Sequence, residues 1–336
     1  MREIASPLKD DQPAASGGAR VLPMRAPGYR SSWTNFKRFF WKYKFFHLLV
    51  LPGIIYFVIF AYLPMFGVLI AFNDYNGMGG VWGILKAPWV GFRNFVEFFQ
   101  SIYFWRLMGN TLILSSLRLV FGFPAPILLA ILLNEIRLRR FKKVVQTISY
   151  LPHFLSWVII TGLLTMLLGS EGPVNSALGQ LFGMKPVIFL SDIRYFRGVL
   201  VTSGIWQSIG WSSILYFAAI SSVPQEHYEV AIVEGASRFQ RAWYITLPWL
   251  RYVIVILLVL SIGSIINSDF EQIFNLYNPA VYAVADVFDT YVYRKGLVGQ
   301  NFSFATAVGF FKSVISFIMV LGANRVAKML GQEALW

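Results

Sequence analysis

Six long apolar segments, separated by polar stretches, dominate the pattern of hydrophobic and polar positions along this chain of 336 residues. A helix that crosses a bilayer needs about 20 mostly apolar residues, and each segment is close to that length. Because the bilayer core offers no water to the backbone, spanning segments have to be helices or closed barrels. The pattern therefore predicts an all-α membrane protein with six transmembrane helices. The predicted spans cover approximately residues 47–72, 111–133, 148–168, 199–220, 250–266 and 305–326.

A polar tail at residues 1–44 precedes the predicted transmembrane domain at 45–336. The stretch SSWTNFKRFFWKYKFF (31–46) mixes basic and aromatic residues, which suits a helix lying at the membrane surface. It is equally well explained as a basic flank of the first span. We find no compact apolar region with a cleavage site in the tail, so we expect no cleaved signal peptide.

The amino-acid composition supports the membrane class and excludes several kinds of functional site. The chain is 57% hydrophobic and 13% charged, with a mean hydropathy of +0.59, whereas a soluble domain is roughly 25% charged. Such values exclude intrinsic disorder. The chain has no cysteine, which excludes disulfides, thiolate metal sites and a catalytic thiol. Its three histidines are far apart in sequence, which argues against a histidine metal cluster.

The net charge of +13 is explained by membrane orientation. Most Lys and Arg residues fall in the tail, in the loops at 134–146 and 222–251, and near the C-terminus, and few fall in the opposite loops. Because basic residues concentrate on the cytoplasmic side of membrane proteins, both termini are predicted to be cytoplasmic. The charge then requires no nucleic-acid partner. Two basic residues, Arg118 and Lys312, lie in the interior of predicted spans, away from the span ends.

The segment 222–251, SVPQEHYEVAIVEGASRFQRAWYITLPWLR, is the most informative part of the chain. Pro224 suits a helix start and Gly235 a helix stop or tight turn. Ser237 is placed to cap a second helix, which Pro248 is expected to end. The loop is therefore predicted to form two short helices across the cytoplasmic mouth. Its small residues would let another surface approach closely, as in a coupling element.

This loop resembles the EAA loop of permease subunits of bacterial ABC importers. The family pattern is E-A-A, three residues, G, nine residues, I, any residue, L-P. Val230 departs from the second alanine, and Glu234 stands where maltose-type members often have Asp. Six specified positions match by chance with a probability of about 10⁻⁸ per start. The matching residues are Glu229, Ala231, Gly235, Ile245, Leu247 and Pro248.

The resemblance extends over most of the chain from about residue 40 and indicates the polysaccharide branch of the maltose-type permeases. The segments at 89–111, 134–156 and 277–297 carry this similarity. It implies import of an oligosaccharide or polysaccharide, with an acidic saccharide such as alginate as the best candidate. Neutral sugars and other small solutes stay open. It also implies the bacterial inner membrane as the location.

The resemblance implies partners and a role for the loop. The pathway would be shared with a second permease subunit, a different homologous chain in most members of this branch. Two ATPase subunits would hold ATP and Mg²⁺, and an extracytoplasmic binding protein would deliver the cargo. The EAA helix would sit in a cleft on the ATPase, with Glu229 as its polar anchor. The alternative is an amphipathic loop that only covers the bundle. The implied coupling residues are Glu229, Ala231, Glu234, Gly235, Ala236, Ile245, Leu247 and Pro248.

Motifs of other activities are absent from the sequence. No G-x-x-x-x-G-K-[ST] occurs, so this chain has no ATP site of that kind and needs no cofactor of its own. No G-x-S-x-G is present. Asp269-Phe270-Glu271 resembles the acidic metal-binding pair of membrane glycosyltransferases, but it falls on the external side of the predicted topology. We expect a solvated loop or a contact with the binding protein there, and no metal.

Several residues are candidates for the substrate pathway. Intramembrane basic residues usually face a bundle interior or polar cavity, where they would favour an anionic substrate; they can also extend to the interface. Aromatic rings near the spans can stack on sugar rings, although packing is the alternative for each. The fourth span is rich in serine and glycine, which suits close helix contacts or a pathway wall. The candidates are Arg118, Lys312, Trp157, Trp206, Gln207, Trp211 and Tyr216.

Two other classes of membrane protein fit the sequence less well. A gradient-driven transporter would couple through intramembrane acidic residues, and the six predicted spans contain no Asp or Glu. A membrane enzyme acting on lipid or polysaccharide would need converging acids, bases or metal ligands near one interface, and the sequence offers none.

Overall fold

The computed structural model describes residues 41–263, 266 and 269–329, and this part of the chain is helical apart from turns and one isolated bridge between Asn73 and Trp89. The predicted surface helix at 31–46 lies mostly outside it. The chain divides into two units, Met1–Leu63 and Pro64–Trp336. The α-helices are α1 (Lys44–Phe57), α2 (Leu63–Met65), α3 (Gly80–Lys86), α4 (Arg93–Gln100), α5 (Phe104–Leu117), α6 (Pro124–Glu135), α7 (Arg139–Tyr150), α8 (Trp157–Leu168), α9 (Pro173–Phe182), α10 (Phe196–Ser221), α11 (Gln225–Val233), α12 (Arg238–Arg241), α13 (Leu247–Gly263), α14 (Phe270–Leu276), α15 (Tyr282–Ala285), α16 (Phe288–Val292) and α17 (Phe302–Met329).

Five helical segments of the described part are long and apolar enough to cross a membrane: Lys44–Phe72, Phe104–Glu135, Trp157–Phe182, Arg238–Ile262 and Phe302–Arg325. The all-α membrane class is thereby confirmed. The predicted fourth span coincides with α10, which has 26 residues but is not among the five. Its length suffices for a span, so we attribute its absence from the five to its serines and glycines, which lower its mean hydropathy. A sixth span stays a prediction.

The predicted third span, 148–168, starts too early. The amphipathic helix α7 ends at Tyr150, and a 3₁₀ turn covers Leu151–Phe154 before α8 begins at Trp157. Pro152 disfavours a continuous helix because it restricts its predecessor and lacks an N–H. Ser156 then caps α8 by accepting a hydrogen bond from the Ile159 N–H at 3.4 Å. The apolar run alone could not show this break.

Three π-helical turns share one sequence context. The turns Val58–Tyr62, Arg118–Gly122 and Ala242–Thr246 each end two residues before a proline. A proline ring in an α-helix clashes with the carbonyl four residues earlier, and that carbonyl lies inside the turn in each case. A wider π turn moves it away. The membrane helices therefore continue through these prolines.

α10 is central to the second unit because both of its halves pack in buried clusters. Phe196 and Leu200 join a cluster with Leu114 of α5, Ile160 of α8 and Ile273 of α14. The other end of α10 packs with α6 and α13 in a second cluster. In lipid, such close packing and interhelical hydrogen bonds stabilise a bundle more than removal from water does.

A close crossing between α7 and α10 depends on glycine. At Gly210, an added Cβ would collide with the backbone carbonyl of Ser149, whereas Gly198 on the same helix has open space around it. We expect Gly210→Ala to lower the free energy of unfolding by about 1–3 kcal/mol, the usual cost of overpacking. Gly198→Ala should leave it unchanged or raise it, since alanine favours helix. Denaturant unfolding of the purified chain in detergent measures both; equal stability of the two variants would contradict this close crossing.

Candidate functional site

A cavity of about 590 Å³ lies between the π turn after α5, α10 and α13. It brings together three of the predicted pathway residues, Arg118 from the π turn after α5 and Trp211 and Tyr216 from α10. Hydroxyl groups, aromatic rings and one cation share its wall. Residues that line it include Arg118, Trp211, Ser212, Tyr216, Ser261 and Asp269.

The guanidinium of Arg118 is fixed by hydrogen bonding from one side. It donates to Oε1 of Gln272 at 2.5 Å, and its other terminal nitrogen lies 3.4 Å from a carboxylate oxygen of Asp269. Gln272 is fully buried and donates in turn to the carbonyl of Leu200 and to Oγ of Ser203, at 2.7 and 3.0 Å. Arg118 is therefore oriented by a buried amide while 21% of its side chain stays exposed.

Contacts of His153 connect the cavity wall to one further predicted pathway residue, Gln207. The Trp211 ring stacks on the ring of His153, with centroids 4.7 Å apart and an angle of 7°. Gln207 donates to the His153 carbonyl at 3.5 Å, and Tyr216 is nearly fully buried in the cavity wall. Sequence reasoning missed His153 and Gln272. His153 follows Pro152 in a short turn, and no periodic pattern points to it.

Three predicted pathway residues lie elsewhere. Trp157 is buried in the cluster around Leu200, so the packing alternative describes it. Trp206 lines a separate, apolar cavity of about 440 Å³. Lys312 pairs with Asp289 at 2.5 Å and is absent from the lining of the first cavity. Asp269, for which the sequence predicts a solvated loop or a contact with the binding protein, is largely exposed and forms an ion pair with Arg118.

The loop after α10 contains the two predicted helices, α11 and α12. Gly235 follows α11 with φ +81°, a left-handed conformation that glycine adopts without strain. Ser237 accepts a hydrogen bond from the Gln240 N–H at 3.3 Å, and Gln240 accepts one from the Ser237 N–H at 2.7 Å. This capping box starts α12 immediately after the turn.

The prediction that Pro248 ends the second helix is wrong. α12 continues through the π turn Ala242–Thr246 into α13, so one long helical segment, Arg238–Ile262, runs from the loop into the membrane region. The wider π turn accommodates the proline ring, as described above. The second helix of the loop is thereby continuous with a membrane helix.

The loop is held to the bundle but presents an exposed surface. Tyr228 Oη lies 2.9 Å from Oγ1 of the buried Thr246. Arg241 pairs with Glu135 at 3.7 Å. Among the eight residues predicted to couple to an ATPase, Glu229, Glu234, Gly235 and Pro248 are exposed, and Ala231, Ala236, Ile245 and Leu247 are half-buried. Apolar side chains lie beside them, with Val233 88% and Phe239 76% exposed. This arrangement suits contact with another protein.

The five long apolar helices of the described part identify a multi-pass membrane protein. Residues 122–333 match the family described as "Binding-protein-dependent transport system inner membrane component". The chain belongs to this family, the permease subunits of binding-protein-dependent ABC importers. The family predicted from the loop is thereby confirmed, which sets aside the gradient-driven transporter and the membrane enzyme.

Individual relatives match along most of their length. The chain is 45% identical to protein LplB of Bacillus subtilis (strain 168) over 331 residues, covering 98% of this chain and 99% of LplB. It is 45% identical to the polygalacturonan/rhamnogalacturonan transport system permease protein YteP of the same strain, covering 87% and 90% of the two chains. A solved bacterial alginate ABC transporter, in complex with an alginate pentasaccharide-bound periplasmic protein, contains a similar chain. That chain is 41% identical, with a TM-score of 0.81 and coverage of 91% and 100%.

Proposed function

We propose that this permease subunit forms half of the pathway of an ATP-driven importer for acidic oligosaccharides. The observation that carries the proposal is Arg118, a cation held at the wall of a cavity between membrane helices. Charged groups at this depth are costly and are usually retained for a substrate or ion pathway.

The rest of the cavity suits a saccharide. The rings of Trp211 and Tyr216 offer apolar faces, and the hydroxyl groups of Ser212 and Ser261 offer hydrogen bonds. A site for a polar ligand combines apolar walls with a few such groups. A sugar ring has one apolar face and a rim of hydroxyl groups, so it matches both.

The ion pair with Asp269 leaves room for an anionic ligand. Asp269 approaches Arg118 at 3.4 Å with 63% of its side chain exposed, so this contact is weaker than the one with Gln272. A carboxylate of the cargo can displace Asp269 and form a charge-assisted hydrogen bond with the guanidinium. The cavity then prefers a sugar acid to a neutral sugar.

The named cargoes of two similar proteins support this class. YteP is named for polygalacturonan/rhamnogalacturonan, and the solved transporter for alginate. Both contain sugars with carboxylate groups. A permease for neutral sugars or another small solute is the alternative.

We further propose how the importer is assembled. The loop at 222–249 would dock into an ATPase subunit on the cytoplasmic side, and both termini would lie on that side. A second, homologous permease would complete the pathway, and a binding protein would deliver the cargo; the solved alginate transporter is bound to such a periplasmic protein. ATP and Mg²⁺ would be held by the two ATPase subunits.

Carboxyl reduction provides the test of the cargo class. The complex is reconstituted in liposomes with its binding protein, and ATP-dependent uptake is measured for an acidic oligosaccharide and for the same oligosaccharide with its carboxylates reduced to alcohols. We expect uptake of the acidic form to be about 10–100 times faster, because a hydrogen bond to a charged group contributes about 1.5–3 kcal/mol.

The two forms share length and linkage, so charge alone distinguishes them. Binding of each to the isolated binding protein is measured in parallel, so that its own selectivity is accounted for. Equal uptake of both forms at equal occupancy of the binding protein would contradict an acidic cargo and favour the neutral-sugar alternative.

A further inference from the structure

One face of the helix α7 packs against the rest of the protein, and the opposite face is exposed. Its half-buried positions recur at helical spacing, and Ser149 on that face lies at the crossing with α10. The opposite face exposes three large apolar side chains, those of Phe141, Val144 and Ile148, each more than half exposed. A shallow groove of about 450 Å³ runs along this face.

The exposed face of α7 is strongly basic. Residues 136–150 contain no Asp or Glu and five Lys or Arg residues. Arg139, Arg140 and Lys143 are exposed beside the apolar side chains, and the last two line the groove. A basic face with an exposed apolar stripe is typical of a helix that lies in the surface of an anionic membrane.

The position of α7 places it at the end of a membrane helix. The segment Phe104–Glu135 is apolar enough to span the bilayer, and α7 begins at Arg139 after a short link. The inward-facing Lys142 lies 4.3 Å above the Phe217 ring, and burial lowers the pKa of its ammonium group. The exposed cations of α7 therefore follow closely after the C-terminal end of an apolar helix that is long enough to span the bilayer.

We propose that α7 lies in the headgroup layer and binds the phosphate groups of anionic lipids. Phe141, Val144 and Ile148 would enter the acyl boundary, and Arg139, Arg140 and Lys143 would contact the phosphates. An anionic membrane surface supplies apolar and negatively charged contacts along one helix face, which this face requires. The proposal needs only that the chain spans a membrane and is independent of the cargo.

Lipid-dependent quenching at α7 tests the proposal. The chain has no cysteine, so Val144→Cys in the assembled complex, built with cysteine-free partners, provides one labelling position for a fluorophore. Quenching is measured in vesicles containing brominated phosphatidylglycerol or brominated phosphatidylcholine. We expect phosphatidylglycerol to be preferred at least about fivefold, which is what one basic residue near an anionic surface supplies at roughly 1 kcal/mol. A second label at Thr147→Cys guards against a local disturbance.

Variants that remove positive charges distinguish lipid binding by α7 from a general attraction of anionic lipids to the positively charged protein. Removing its cations with Arg139→Gln, Arg140→Gln and Lys143→Gln should bring the preference close to one. The control removes three exposed cations outside α7, with Lys86→Gln, Lys185→Gln and Arg194→Gln, and should keep the preference. Equal quenching by the two lipids in the unaltered helix would overturn the proposal. So would an absence of quenching by either lipid, which would show that protein covers this face.

Discussion

The substitution Glu229→Lys is expected to abolish the stimulation of ATP hydrolysis by loaded binding protein while the complex still assembles. Glu229 is exposed on α11, so reversing its charge should change the stability of the chain by less than about 0.5 kcal/mol. At a docked ATPase surface, however, disrupting a charged contact costs about 2–5 kcal/mol. The increase in hydrolysis caused by loaded binding protein should therefore fall at least about 30-fold, measured as phosphate release from proteoliposomes.

A matched variant lies on the same helix. Glu226 is also acidic and exposed, but it precedes the EAA pattern. Glu226→Lys should keep most of the stimulation, and Glu229→Gln should fall between the two. Equal losses in Glu226→Lys and Glu229→Lys would show that only the charge of the loop matters. Full stimulation in Glu229→Lys would contradict coupling through this residue.

The substitution Arg118→Gln is expected to lower ATP-dependent uptake of an acidic oligosaccharide about 10–100-fold, since it removes a charge-assisted hydrogen bond. Arg118→Lys should restore only part of it, because an ammonium group cannot contact Gln272 and a cargo carboxylate with the planar geometry of a guanidinium. Uptake of the carboxyl-reduced cargo should be the same in all three proteins.

Lys312 provides the control cation. It lies in a membrane helix but is paired with Asp289 and is absent from the cavity lining. The double variant Lys312→Gln with Asp289→Asn removes that pair without leaving an unpaired charge. Its charge selectivity should equal that of the original protein. An equal loss of selectivity in this variant and in Arg118→Gln would contradict a specific role of the Arg118 cavity.

The membrane class and the family follow from local sequence features. Apolar runs of about 20 residues identify most of the membrane helices. The spacing from Glu229 to Pro248 predicts the family that the match over residues 122–333 confirms, because the whole pattern lies within one continuous loop. Arg118 is equally visible, as a charge in an apolar run. All of these signals can be read within one segment.

The cavity site depends on contacts between segments that are far apart in the sequence. Arg118 meets Gln272 across 154 positions, and a glutamine after an acidic loop residue gives no indication of such a partner. Trp157 and Trp211 are both tryptophans in predicted spans. Trp157 packs in a buried cluster, whereas Trp211 stacks on His153 beside the cavity. Only the arrangement of helices around α10 separates them.

The sequence-based prediction of helix boundaries is wrong at two prolines. Pro152 lies in the 3₁₀ turn that separates helices α7 and α8, whereas Pro248 lies within a continuous helix. The difference comes from the π turn before Pro248 and from Ser156, which caps a new helix after Pro152. Apolar patterning does not record either feature.

Access to the Arg118 cavity from the two sides of the membrane is the most direct test of the account. Ser212 lines the cavity, so Ser212→Cys is reconstituted with cysteine-free partners and treated with a membrane-impermeant thiol reagent on one side at a time. We predict reaction from the cytoplasmic side without nucleotide and from the opposite side when ATP hydrolysis is trapped. Trp206→Cys, which replaces a side chain of α10 in the separate apolar cavity, should show no such change of side. Reaction of Ser212→Cys from the same side in both states, or from neither, would contradict a transport pathway through this cavity.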